Sequence, residues 1–189
     1  PLLMVDYPNI LDAYREGQRL ASSDLVLYTH NDVTLLSGVV ETTLREFFSR
    51  VEAGWVGTCG SLVPIACGCV YHHPWAAVGG MVIGVRGKER EIEDIACNEK
   101  PRFDLINLAR KVACLDAGFL ATMHRDWNFE PTSRDNFLGA YDADISYEAT
   151  ERGRDLWVVP FPVAHWGSEC DVPELLRRDA MFLDGRTAR

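Results

Sequence analysis

The sequence predicts a one-domain α/β protein with a mixed, mostly parallel central sheet flanked by helices. Three observations predict it. Apolar, β-favouring runs alternate with amphipathic helical stretches through the first half of the chain. Several of those runs end abruptly in polar loops, the pattern of buried parallel strands. The chain has 189 residues, 47% hydrophobic and 25% charged, which suits one domain with a substantial core and would leave two domains small. No internal repeat, low-complexity tract or linker divides it.

Leu2 to Val5 reads as a short buried strand. Asn9 is placed to cap a helix that runs to Leu20, with Ile10, Ala13, Tyr14, Gly17 and Ala21 at helical spacing. Ser22, Ser23 and Asp24 break it. Leu25 to Thr29 follows as a buried strand and empties into His30, Asn31 and Asp32. Ser37 is the expected cap of a second helix whose apolar face is Val40, Leu44, Phe47, Phe48 and Val51.

From Gly54 to Gly87 the text becomes rich in Gly, Val and Ile, with strands expected at Val56 to Thr58, Ser61 to Ala66 and Gly80 to Val85. His72, His73, Pro74 and Trp75 read as a surface loop. Lys88 to Lys100 is a charged surface segment, and its acidic part, Glu89 to Asp94, is a solvated face or flexible loop. Lys111 to Asp116 and Phe119 to Met123 read as strands around a Gly turn. A helix is expected from Asp142 to Arg152, with Ile145 and Ala149 inward and Gly153 as its stop. Leu156 to Ala164 is a last strand, placed at a sheet edge by Pro160 and Pro162. Residues 171–189 form a charged surface tail. Trp55, Trp127 and Trp157 are assigned to the core.

Charge excludes one class of partner. With 19 basic and 28 acidic residues the formal net charge is −9, unsuited to general nucleic-acid binding, which needs a basic surface. One local, metal-bridged phosphate site remains compatible with that charge. The six cysteines (Cys59, Cys67, Cys69, Cys97, Cys114 and Cys170) contain no CxxC pair. Most lie in apolar stretches, as reduced structural thiols of a cytoplasmic protein do. No apolar run approaches the ~20 residues of a membrane span, and the N-terminus, which opens at Pro1, has no signal-like character.

Three segments have residue types that carry chemistry. In Tyr28-Thr29-His30-Asn31-Asp32-Val33 a polar triplet follows an apolar strand, where ligands of open α/β sheets gather. Asp32 there is suited to a divalent cation that neutralises a diphosphate. A plain turn accounts for the same triplet, since His, Asn and Asp tolerate unusual backbone angles. In Tyr141-Asp142-Ala143-Asp144 two carboxylates fall in the first turn of a helix. Either the helix dipole explains them or one is a general base for a hydroxyl nucleophile. The third segment, Pro162 to Ser168, presents His165 as a metal ligand or phosphate contact, or as a surface histidine beside a packed Trp166.

Taken in this order, the segments resemble a family 2-like glycosyltransferase of the GT-A fold, over roughly residues 1–170. Leu25 to Val33 (LVLYTHNDV) is similar to the family's apolar strand ending in an Asp-x-Asp-type motif. Val112 to Trp127 (VACLDAGFLATMHRDW) resembles its acceptor-side strand pair. Tyr141 to Gly153 (YDADISYEATERG) looks like its acidic helix start, and Val158 to Ser168 (VVPFPVAHWGS) like its closing strand with a histidine.

The resemblance implies a nucleotide and metal side over about 1–85 and an acceptor side over about 100–170. It implies Mn²⁺ or Mg²⁺ held by Asp32 and His165, with His30, Asn31 and Asp32 at the donor diphosphate. Asp142 is implied as the catalytic base, with Asp144 as its neighbour and alternative, and Asp116 and Trp166 lie at the acceptor. The implied reaction is inverting transfer of a sugar from a nucleotide-diphosphate sugar to a glycan or other hydroxyl acceptor.

Two departures stand out. His30 occupies the first acidic position of the motif, so with His165 the imidazoles suit Mn²⁺ better than hard Mg²⁺. Leu2 to Val5 matches the strand just before the motif's helix, so the family's first strand and loop, which grip base and ribose, are missing. The chain is then a fragment or a short form that holds its nucleotide differently. Two rival readings follow. One is a GT-A-fold binding protein without transferase activity. The other is a metal-dependent nucleotidyltransferase or hydrolase, for which the required Gly- and Lys/Arg-rich phosphate loop is missing. Sugar, acceptor and oligomeric state are not encoded in these motifs.

Overall fold

Central to the described part of the chain is a five-stranded mixed sheet with helices on both faces. The computed structural model describes residues 10–36, 38–64, 77–79, 82–83, 108–124, 127, 129, 141–159 and 161–166. The helices are α1 (Ile10–Leu20), α2 (Val40–Arg50) and α3 (Tyr141–Glu151). The strands are β1 (Val26–Thr29), β2 (Val33–Leu35), β3 (Ala53–Gly57), β4 (Cys59–Ser61), β5 (Ala77–Gly79), β6 (Val82–Ile83), β7 (Arg110–Val112), β8 (Cys114–Leu115), β9 (Phe119–Thr122), β10 (Asp155–Val158) and β11 (Val163–His165). The large sheet has the order β1-β9-β3-β10-β7, and β2-β11-β6 and β5-β4-β8 form two smaller sheets.

Side-chain alternation divides the core between the two faces of the large sheet. On one face Tyr28, Trp55, Leu120, Leu156 and Val158 pack with Tyr14 of α1 and with Ile145 and Ala149 of α3. The other face sets Ala53, Val56, Phe119 and Ala121 against Val40, Leu44 and Phe47 of α2. All of β3 is buried as a result. The helical spacings expected for α1 and α2 are realised, as are the inward Ile145 and Ala149. Trp55 and Trp127 are core residues, while Trp157 is half-buried against Phe47. Asn9, Ser37, Leu2 to Val5, the His72 to Trp75 loop, Glu89 to Asp94 and residues 171–189 lie outside the described residues, and α2 begins after Val39 without a side-chain cap.

Four expectations are corrected. The large sheet is not mostly parallel: β3 and β10 run parallel, but β1–β9, β9–β3 and β10–β7 are antiparallel. Apolar runs covered on both faces look alike in either direction, so hydropathy carries no strand sense. Leu25 to Thr29 is not buried on both sides; among the described residues β1 ends the sheet, with Val26 and Tyr28 inward and Leu27 37% exposed. Leu156 to Ala164 is two strands, and both are internal: β10 sits between β3 and β7, and β11 between β2 and β6. The proline-containing interval separates them, and the Pro162 carbonyl accepts the Leu36 N–H at 3.0 Å. Lys111 to Asp116 likewise divides at Ala113, whose N–H turns to the Ser61 carbonyl at 2.8 Å.

Gly153 ends α3 as expected, at φ +69° with nothing within 4 Å of an added Cβ. The cost of Gly153→Ala is therefore backbone strain alone, about 1 kcal/mol. Thermal unfolding should report it as a fall in Tm of about 2–4 °C.

Candidate functional site

β1, β3 and β10 all point their carboxyl ends toward one end of the large sheet, the end at which ligands of such sheets gather. Four segments meet there. The first is the turn His30 to Val33, closed by the Val33 N–H on the His30 carbonyl at 3.3 Å. It carries the chain from β1 in the large sheet to β2 in a small one. The turn and the ligand-bearing triplet are thus the same structure: because the backbone reverses, His30 and Asp32 project to one side.

The second segment is β11. Its antiparallel register on β2 sets His165 opposite Val33, next to Asp32. The Trp166 N–H then donates to the Asp32 carbonyl at 2.8 Å, and the Trp166 indole N–H to Thr34 Oγ1 at 2.9 Å. This pins Trp166 to β2, and nothing in its geometry ties it to an acceptor. The third segment is the loop Asp116 to Gly118, held to β1 by the His30 N–H on the Gly118 carbonyl at 3.2 Å. Gly118 in turn donates its N–H to Asp116 Oδ1 at 2.9 Å. The fourth is the start of α3, with Tyr141 hydrogen-bonded to His30 Nε2.

One potential ligand atom each from His30, Asp32 and His165 lies within 4.8 Å of the others. Asp32 Oδ1 is 3.3 Å from His165 Nε2 and 3.9 Å from His30 Nδ1. Ligand bonds of about 2.1 Å put neighbouring donors about 3–3.5 Å apart, so one edge is already at that spacing. Asp32 Oδ1 is also a buried oxygen without a hydrogen-bond partner. A carboxylate oxygen so placed is costly unless a cation or donor meets it. The residues present therefore fit a divalent cation, and two imidazoles with one carboxylate suit Mn²⁺ or its transition-metal neighbours better than Mg²⁺.

Electrostatics tie the acidic residues to this group. Burial lowers the His30 pKa, while the charges of Asp116 and Asp32 oppose that shift and His165 adds to it. A neutral imidazole is the form that ligates. Burial raises the Asp116 carboxyl, and the Gly118 N–H and the imidazoles of His30 and His165 pull it back. Asp142, buried in the first turn of α3, accepts the Ala143 N–H at 3.0 Å. Burial pushes its carboxyl well above the usual range, and the negative charge of Asp116 adds to that. Asp116 thus stands electrostatically between the imidazoles and Asp142.

The structure brings together His30, Asp32 and His165, with Asp116 on the loop bonded to His30 and Asp142 beside Tyr141 at the start of α3. Asn31 is exposed on the turn. Asp144 is half-buried and lies roughly 200° around the helix from Asp142, so the two carboxylates do not share a face. Tyr141 belongs to the site and was not foreseen; a tyrosine before an acidic helix start reads as a core aromatic. A groove of about 520 Å³, lined by Arg45, Phe48, Arg50 and His124 among others, lies by the opposite ends of β3 and β9. Its Arg45 is paired with Asp24 and Glu41, and its Arg50 with Glu46. The titratable cluster, not this groove, holds the concentrated chemistry.

No model of a known protein family matches the chain, and no curated protein matches it either. Among the described residues, no helix is long and apolar enough to cross a membrane.

Proposed function

We propose that this chain is a GT-A-type glycosyltransferase domain that moves a sugar from a nucleotide-diphosphate sugar to an acceptor hydroxyl, with inversion and with help from a divalent cation. The observation that carries this reading is the grouping of His30, Asp32 and His165 by the carboxyl end of β1, with Asp116 on the adjoining loop and Asp142 at the start of α3. Such a reaction asks for a base on one side of the anomeric carbon and charge stabilisation on the other. The residue types supply both.

In this reading His30, Asp32 and His165 hold the cation at the donor diphosphate, with Asn31 alongside. When bound, the cation neutralises charge that develops on the departing diphosphate. Asp142 removes the acceptor hydroxyl proton as its oxygen bonds to the anomeric carbon and the bond from that carbon to the diphosphate breaks. Burial raises the Asp142 carboxyl above the ordinary carboxylate range, the direction that strengthens the carboxylate as a base. Asp116 is on the acceptor side in this reading. Asp144 belongs to the same helix turn without sharing the face of Asp142.

The test is a thermal-shift screen of nucleoside diphosphates and nucleotide sugars, each with and without Mn²⁺. The expected result is a shift that needs one nucleotide and Mn²⁺ together. No shift with any pair would overturn the transferase reading in favour of a binding protein that does not use a nucleotide sugar.

A further inference from the structure

We infer that Trp166 is a positioning residue: its indole, anchored on Thr34, holds the end of β11 against β2 and so keeps His165 at ligating distance from Asp32. The inference rests on the reading of His30, Asp32 and His165 as a cation site.

His165 occupies the end of a short strand. β11 is three residues long and lies between β2 and β6. Among the described residues both of its ladders end at His165, opposite Val33 on one side and Ile83 on the other. The ends of an element are where pairing opens most readily. The 3.3 Å between His165 Nε2 and Asp32 Oδ1 therefore depends on what closes the ladder beyond its last pair.

Trp166 closes it. Its backbone N–H donates to the Asp32 carbonyl at 2.8 Å, which carries the β2 register one residue further, into the ligand-bearing turn. In that register Thr34 is the diagonal neighbour of Trp166, a separation that a large aromatic side chain spans. The indole N–H reaches back along β2 and donates to Thr34 Oγ1 at 2.9 Å. The ring also packs on the buried Leu36 and Ala164.

Of these ties, the indole bond is the one that a substitution removes alone. Phenylalanine at 166 keeps the backbone bond and an apolar ring but has no donor. Valine at 34 keeps the branched, strand-favouring shape of threonine but has no acceptor. The bond is one residue removed from the ligating imidazole, and Thr34 is exposed. Its effect on metal affinity is then that of one neutral hydrogen bond, about 3–10-fold. A partner bonded to the imidazole itself would typically be worth roughly 10–100-fold.

The test measures Mn²⁺ affinity, from the EPR signal of the free ion, in wild type, Trp166→Phe, Thr34→Val and the double variant. Each single variant should bind Mn²⁺ about 3–10-fold more weakly. The double variant should bind no more weakly than either single, because both substitutions remove the same bond. Thr34→Ser, which keeps the hydroxyl, should bind as wild type does. Metal-free melting temperatures should stay close to wild type in every variant, which separates positioning from a general loss of stability. An affinity unchanged in Thr34→Val overturns the inference, as does a double variant whose loss is the sum of two independent ones. Thr34→Val carries the test alone if Trp166→Phe folds poorly.

Hydrogen exchange of the backbone amide at position 166, read without metal, keeps the inference apart from the reading it rests on. Exchange there should quicken in Trp166→Phe and Thr34→Val relative to a core amide such as that of Val159, which donates to the Gly57 carbonyl. If wild type binds no Mn²⁺ and exchange quickens in this way, the clamp stands and the cation reading falls. If wild type binds no Mn²⁺ and exchange is unchanged, both fall.

Discussion

Replacing Asp32 with asparagine is expected to abolish the stabilisation by Mn²⁺ that the proposed cation site implies. Asp32 is the one carboxylate among the three residues whose ligand atoms converge, and a doubly charged cation held by two neutral imidazoles alone loses its anionic partner. A cation at about 100 times its Kd stabilises by roughly 2.7 kcal/mol, which is about 5–10 °C in Tm for a chain of this size. That shift should vanish in Asp32→Asn at the same Mn²⁺ concentration. The metal-free variant should be as stable as wild type or more so, because the substitution removes charge from a buried oxygen that lacks a donor. Thermal melts of both proteins with and without Mn²⁺ decide the matter. An undiminished shift in Asp32→Asn would place the cation elsewhere.

On the proposed transferase reading, Asp142→Asn should lower sugar transfer by about 10²–10⁴-fold, the typical contribution of a positioned base, while the protein stays folded. Stability gives an independent readout. The folded-state pKa of Asp142 is raised well above the ordinary value of 3.8, chiefly by burial. A carboxyl raised on folding contributes stability that is full below the unfolded value and is lost as pH climbs through the folded one. Wild type should therefore lose Tm progressively above pH 4, and Asp142→Asn, which has no proton to surrender, should lose less. Asp116, also raised by burial, leaves a residual slope in the variant. Transfer rates and a pH series of melts make the comparison. Unchanged transfer by a folded Asp142→Asn protein would remove it as the base and turn attention to Asp116.

The site was legible where chemistry coincides with a break in hydropathy. His30 and Asp32 follow β1 directly, His165 ends β11, and Asp142 opens α3, so each stands where an apolar pattern turns polar. Asp116 was legible for a related reason, since Asp and Gly between two apolar runs mark a turn, and the turn happens to face His30. Tyr141 was not legible, because nothing local distinguishes a hydroxyl that meets an imidazole 111 residues away from one that meets the core. The helices followed their 3.6-residue periodicity closely. Strand direction did not follow from anything local: β9 enters antiparallel between β1 and β3, a pairing made by distant segments. The breaks at Ala113 and between β10 and β11 escaped notice because both halves of each run are apolar and buried.

The strand order also governs how this chain must acquire its structure. None of the four neighbouring pairs in the large sheet joins strands that are consecutive within it. Among the described residues, the partner of β1 in that sheet is residues 119–122, and β3 lacks its parallel neighbour until residues 155–158 exist. During synthesis the first strands wait with open edges, and closing such long loops is slow. β10 acts as a keystone: a nascent or truncated chain that stops short of Asp155 leaves one flank of β3 unpaired, an exposed edge of the kind that invites aggregation.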